Sequence, residues 1–173
     1  MAERQPTETT NLDIYGNAPL EWSRALKALA YPLEKHQTWF LGTVDPDGRP
    51  QAAGVGALYI DGDVYVVSGP KTRKSRDLAA NPASSLSVSL EGIDMVFEGD
   101  VTRVTDKETL ERVVAVFQKS GWPAEVDGDA FTAPFSAPSA GPPPWYVYRF
   151  TFDTAVGVAG EEPNGATRWR FGD

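Results

Sequence analysis

A chain of 173 residues with 24 acidic against 16 basic side chains, a formal charge of -8, suits one domain with a substantial buried core. Its lack of cysteine excludes a disulfide framework, a thiolate metal site and a cysteine nucleophile, and a single histidine, His36, leaves little for a histidine metal site or a conventional triad. A pI near 4.7 argues against a nucleic-acid footprint, and without an apolar run of roughly 18 residues or an apolar leader the expectation is a soluble, unexported, cytoplasmic protein with no membrane partner.

Residues 1–18 are polar and aperiodic, and are read as a flexible N-terminal arm, a mobile tail or an extended one, ahead of a single domain spanning residues 19–173. In "PLEWSRALKALAYP", Leu20, Trp22, Ala25, Leu26 and Leu29 recur at helical spacing, with Pro19 near the start and Pro32 as the stop. "TWFLGTV" and "QAAGVGALYI" flank the turn formers of "DPDGRP", which predicts a hairpin; Asp61-Gly62-Asp63 makes a second turn before "VYVVS". Then comes "KTRKSRDLAANP", a short helix with Thr72 as N-cap, Leu78 and Ala79 facing inward, and Asn81-Pro82 as its end.

"SSLSVSL" and "MVFEGDVTRV" read as paired strands. Thr105 and Glu108 form a capping-box pattern that opens a helix with Leu110, Val113, Val114 and Phe117 on its buried face. Residues 121–144, with Pro134, Pro138 and Pro142 to Pro144, show no period and are expected as a long loop; "WYVYRFTF", "AVGVA" and "TRWRF" are closing strands. Many short, mainly antiparallel strands interrupted by short helices suggest a closed barrel, because closure removes exposed edges.

Within six positions of "KTRKSR" stand Lys71, Arg73, Lys74 and Arg76, at the start of a helix in an acidic chain. Cations in a first turn oppose the helix dipole, at about 0.3 to 1 kcal/mol each. The free backbone N–H groups there, with Lys and Arg beside them, make a site for a small anion, phosphate being the usual occupant; a solvated basic face is the other reading. Gly54 and Gly56 lie in a strand with no helix after them, so a dinucleotide fingerprint is excluded; they mark either a kink or a place where a ligand nears the backbone. Asp45 and Asp47 are turn formers, and no nucleophile elbow supports acyl transfer.

These segments together resemble a known family. "WFLGTVDPDGRPQAAGV", "DGDVYVVSGPKTRKSRDLAANP" and "VFEGDVTRVTD" are similar, in order, to the flavin-binding split-barrel proteins of the pyridoxamine 5′-phosphate oxidase-like family, and "TRWRF" resembles the ending of many members. The resemblance implies a mainly β fold, a six-stranded split β-barrel with short flanking helices, assembled as a homodimer that holds FMN or the related deazaflavin coenzyme between subunits. It implies that Thr72, Arg73 and Lys74 hold the cofactor phosphate, that Val55, Gly56, Val67 and Ser68 line the ring and ribityl chain, and that Trp169 completes the groove from the partner, the other reading being that Trp169 and Phe171 finish the barrel core of their own subunit. It further implies an oxidoreductase that moves a hydride between flavin and a small organic substrate, the cofactor carrying the chemistry; a non-catalytic flavin-binding or stress-related protein is the rival reading. True pyridoxamine phosphate oxidases end in an arginine-rich segment, whereas only Arg168 and Arg170 flank Trp169 here.

Overall fold

A computed structural model describes residues 4–30, 37–137 and 140–172. His36, Pro32 and Pro138 lie outside the described residues. Eleven strands and three helices follow in the order β1 (Glu8–Asn11), α1 (Trp22–Leu29), β2 (Trp39–Val44), β3 (Pro50–Val55), β4 (Ala57–Ile60), β5 (Asp63–Ser68), α2 (Arg73–Ala80), β6 (Ala83–Leu90), β7 (Ile93–Val104), α3 (Lys107–Lys119), β8 (Glu125–Asp127), β9 (Ala130–Thr132), β10 (Tyr146–Ala159) and β11 (Ala166–Arg170). No helix among them is long and apolar enough to cross a membrane.

The fold is mainly β and antiparallel. One nine-stranded sheet runs β1-β11-β10-β7-β6-β2-β3, with β5 paired to β10 and β4 paired to β5. Only Gly56 separates β3 from β4, so the chain itself joins the two ends of the path and the sheet curls into a barrel. The strand count exceeds the six expected. Three differences account for it: β3 and β4 are scored apart at Gly56, β1 and β11 extend the sheet beyond the barrel, and β8–β9 forms a separate hairpin. In the other direction, "WYVYRFTF" and "AVGVA" are one strand, β10, irregular between Phe152 and Thr154.

Alternation along the strands sends Leu41, Val66, Leu86, Phe97, Phe150 and Phe152 into one core, to which α1 adds Trp22 and Leu26. A second core lies on the outer side of β5 and β10. There Tyr65, Val67 and Val147 meet Leu110, Val113 and Phe117 of α3, together with Phe131 and Trp145. The segment expected as a long loop therefore contributes buried aromatic rings and the β8–β9 hairpin, whose turn places Gly128 at φ 61°. Apolar Val126 and Phe131, paired across a two-residue turn, were masked by the prolines that follow.

Two further expectations are corrected, and the N-terminal arm takes the extended form of the two expected. The N-terminal arm is held: β1 pairs with β11, Arg4 donates from Nη1 to the Phe152 carbonyl at 2.6 Å, and Trp22 Nε1 donates to the Arg4 carbonyl at 3.0 Å. The N-cap of α3 is Asp106, whose carboxylate accepts from the Thr109 amide at 2.8 Å, one residue after the predicted Thr105. In α2, Leu78 is buried but Ala79 is exposed; Lys74, Ser75 and Asp77 form the inward face instead.

Among the described residues nothing covers the opposite outer side of the sheet. Strand register lines up Gly54, Phe40, Ser87, Val96, Val156, Arg168 and Thr10 in one row across seven strands. Within and beside that row Phe40, Val96 and Val158 are 50%, 42% and 49% exposed.

Candidate functional site

The basic stretch starts where β5 ends. Gly69 and Pro70 bend the chain, and Gly69 is required there because a Cβ would collide with the Ala140 carbonyl oxygen, to which the Gly69 amide donates at 3.1 Å. Thr72 then closes a tight turn: its amide and its hydroxyl both donate to the Gly69 carbonyl, at 3.1 and 2.9 Å. As predicted, Thr72 is the N-cap of α2, its Oγ1 accepting from the Ser75 amide at 3.3 Å. The Ser68 hydroxyl lies 2.7 Å from Thr72 Oγ1, so strand end and helix start are tied by side chains. The amides of Arg73 and Lys74 occupy the first turn of α2, where N–H groups have no partner within the helix.

The four cations are not equivalent. Arg76 donates from Nη1 to the Lys71 carbonyl at 2.7 Å and so secures the turn. Arg73 is exposed and donates to Asp45 Oδ2 at 3.1 Å. That carboxylate belongs to the β2–β3 turn, where its other oxygen accepts from the Arg49 and Asp47 amides, and these bonds with the Arg73 charge hold Asp45 below the usual carboxylate range. Lys74 alone is buried, at 8% exposure, and desolvation lowers its pKa from 10.5. An anion at the α2 start would offset that cost by favouring the ammonium form.

Beneath the helix, Ser75 hydrogen-bonds the phenol of Tyr148 on β10, which burial pushes above its usual pKa. Asp77 accepts from the Thr43 hydroxyl at 2.9 Å and fastens α2 to β2. Sequence reasoning missed Ser75, Asp77 and Tyr148. The polar, buried face of α2 is a signal that could have found Ser75 and Asp77; nothing local pointed to Tyr148, which comes 73 positions after Ser75.

Of the expected site residues, Ser68, Thr72, Arg73 and Lys74 come together in this turn. Val55 ends β3 and Gly56 links it to β4, whose Ala57 pairs with Val66 of β5. Gly56 is exposed with open space where a Cβ would stand, whereas the Val55 side chain is buried in the barrel core. Val67 faces the second core, opposite Val147. Trp169 lies apart from the turn. Its indole is 1% exposed, packs 5.3 Å from Trp22, and is seated over Gly157, where a Cβ would fall 2.8 Å from the ring. It is part of the core of its own subunit. An open groove of about 490 Å³ does lie on the bare side of the sheet, but Glu98, Asp100 and Asp153 line it, the wrong sign for phosphate.

The model of the family described as "Pyridoxamine 5'-phosphate oxidase" matches residues 25–153 of this chain. The protein belongs to the pyridoxamine 5′-phosphate oxidase family. A pyridoxine/pyridoxamine 5′-phosphate oxidase of Acidothermus cellulolyticus is 35% identical over 86 residues, 49% of this chain and 38% of that protein, so the match spans well under half of the curated relative. Among solved structures, a pyridoxamine 5′-phosphate oxidase-related, FMN-binding protein of Nostoc punctiforme has a TM-score of 0.59 at 14% identity, covering 90% of this chain and 94% of that one. An F420 reductase has a TM-score of 0.50 at 20% identity, covering 72% and 92%. At such identities the likeness is one of fold, the split barrel of the pyridoxamine 5′-phosphate oxidase family.

Proposed function

We propose that this protein binds FMN and works as an oxidoreductase on a small organic substrate. The observation that carries the reading is the α2 start, where Thr72 caps a turn tied to Ser68, the helix dipole favours an anion, and Lys74 is a desolvated cation. Membership of a family of oxidases supports it, as does the FMN-binding neighbour.

In this reading the cofactor phosphate sits against the amides of Arg73 and Lys74. Lys74 and Arg73 neutralise its charge, and Thr72 holds the turn in shape through the Gly69 carbonyl. Gly56 leaves room for a planar ring to approach the backbone beside β5. Bound flavin would supply the hydride chemistry. Ser75 and Tyr148 fix α2 on β10. The substrate differs from pyridoxamine 5′-phosphate, because only Arg168 and Arg170 represent the arginine-rich closing segment, and both lie on β11 beside the N-terminal strand.

The proposal includes a homodimer. Its support is the bare sheet face, on which Phe40, Val96 and Val158 stand exposed with no helix over them, an apolar patch of the kind that subunit contacts cover. A second reading, the deazaflavin coenzyme in place of FMN, is favoured by the F420 reductase neighbour; both cofactors share the phosphate that the α2 start would bind. The absorption and mass spectra of cofactor released from purified protein test both. FMN supports the first reading, deazaflavin the second, and a protein that neither carries nor takes up either overturns them.

A further inference from the structure

A second guanidinium is built into the fold away from the basic turn. Arg103, near the end of β7, stands opposite Tyr148 of β10 and shares its face. Its guanidinium carbon lies 3.5 Å from the centroid of the Tyr146 ring, a stacking contact that fixes the plane of the fork. One edge is engaged: Nη2 donates to Asp129 Oδ2 at 2.7 Å. Among the described residues Nε is buried without an acceptor, a state that buried N–H donors rarely show.

Asp129 is an unusual choice of partner. It sits in the two-residue turn of the β8–β9 hairpin with its side chain 55% exposed, against 34% for Arg103. Exposed pairs of this kind contribute little to stability, so the hairpin does not need the contact in order to form. A stacked, planar fork with a spare buried donor instead matches a group with two or three oxygens, which a guanidinium grips through paired hydrogen bonds.

We propose that Arg103 is a recognition residue for an oxyanion, a carboxylate or a phosphate ester, and that Asp129 is an internal carboxylate occupying the fork until such a group displaces it. Arrival of the anion frees the β8–β9 turn from β7. That the anion is carried by the substrate rests on the flavin reading above; that Arg103 binds an oxyanion does not.

The experiment is calorimetric titration of the full chain with two probes, inorganic phosphate and succinate, which separate phosphate-ester from carboxylate preference. It is run on protein first titrated with FMN and, in parallel, on the Arg73→Ala, Lys74→Ala background, so that the α2 turn does not contribute. Asp129→Asn, a change at an exposed turn, is expected to bind the preferred probe about two- to fivefold more tightly than its parent, as release of an exposed ion pair allows. Arg103→Met is expected to lose at least tenfold. A gain of affinity on removing a negative charge from a turn is not an effect that a purely structural pair produces. Neither probe binding, no gain in Asp129→Asn, or unchanged binding in Arg103→Met each overturns the proposal. Failure of FMN to bind in the first step counts against the flavin reading alone, because the second background reads Arg103 independently.

Discussion

The two outer sides of this barrel share strands and differ in what covers them. On one side, Tyr65, Val67 and Val147 are sealed beneath α3 and the residues 121–145. On the other, Phe40, Val96 and Val158 have the same β-branched or aromatic character and stand open. Residue type is therefore a poor guide to which side is covered within one chain. What separates them is connection: α3 and the segment after it must bridge from β7 to β10, and they fold back over the side on which those strands meet β5. Among the described residues no chain crosses the bare side.

The largest expected effect breaks the covered side. Trp145→Ala removes a fully buried ring that packs on Trp122 and Phe135 and whose Nε1 donates to Gly141, and it should cost about 3 to 5 kcal/mol in thermal or denaturant unfolding. A loss below about 1 kcal/mol would mean that the segment is not part of the core. The counterpart on the bare side, Phe40→Ser, should change the unfolding free energy of the subunit by under about 0.5 kcal/mol. Its effect should appear in sedimentation, as at least tenfold weaker self-association, about 1.4 kcal/mol. Unaltered association would remove the bare face from the dimer account.

Smaller effects concern the basic turn, which contrasts with both sides in being polar and buried together. Burial lowers the Lys74 pKa from 10.5, so the ammonium that an anion needs is lost before that pH is reached, and FMN affinity should fall on alkaline titration in the range below it. Tyr148, which burial raises from 10.0, stays neutral there. Lys74→Met should accordingly flatten the alkaline dependence, and a profile that persists in Lys74→Met would assign it to another group. Least of all, Asp45→Asn releases the exposed Arg73 guanidinium from its largely buried carboxylate and should tighten FMN by about twofold; weaker binding would show that Asp45 positions Arg73 for the cofactor.

Much of this architecture was legible in the sequence because its signals are local. Thr72 three residues before the Ser75 amide, and Leu110, Val113, Val114 and Phe117 at helical spacing, declare themselves within a few positions. The fold class follows from many short alternating strands. The rest depends on distant partners. Nothing in "TRWRF" reveals that Trp169 is enclosed by Trp22 and Gly157, residues far apart in the chain, so the core and interface readings stand side by side in the sequence. The N-terminal arm reads as mobile or extended alike because its order comes from β11 and Phe152. The cations of "KTRKSR" read as one basic cluster with Arg73 and Lys74 on the phosphate, whereas in the fold Arg73 meets Asp45, Arg76 secures the Lys71 carbonyl and Lys74 is the buried one.

The central claim, that the start of α2 is a cofactor phosphate site, is tested most directly by fluorescence titration of FMN into wild type and into Arg73→Ala with Lys74→Ala. Charge-assisted hydrogen bonds of about 1.5 to 3 kcal/mol each make a loss of at least tenfold, about 1.4 kcal/mol, a modest demand on two removed cations. The account predicts that loss with little change in the melting temperature of the unliganded protein. Equal FMN affinity in wild type and the double variant would contradict it.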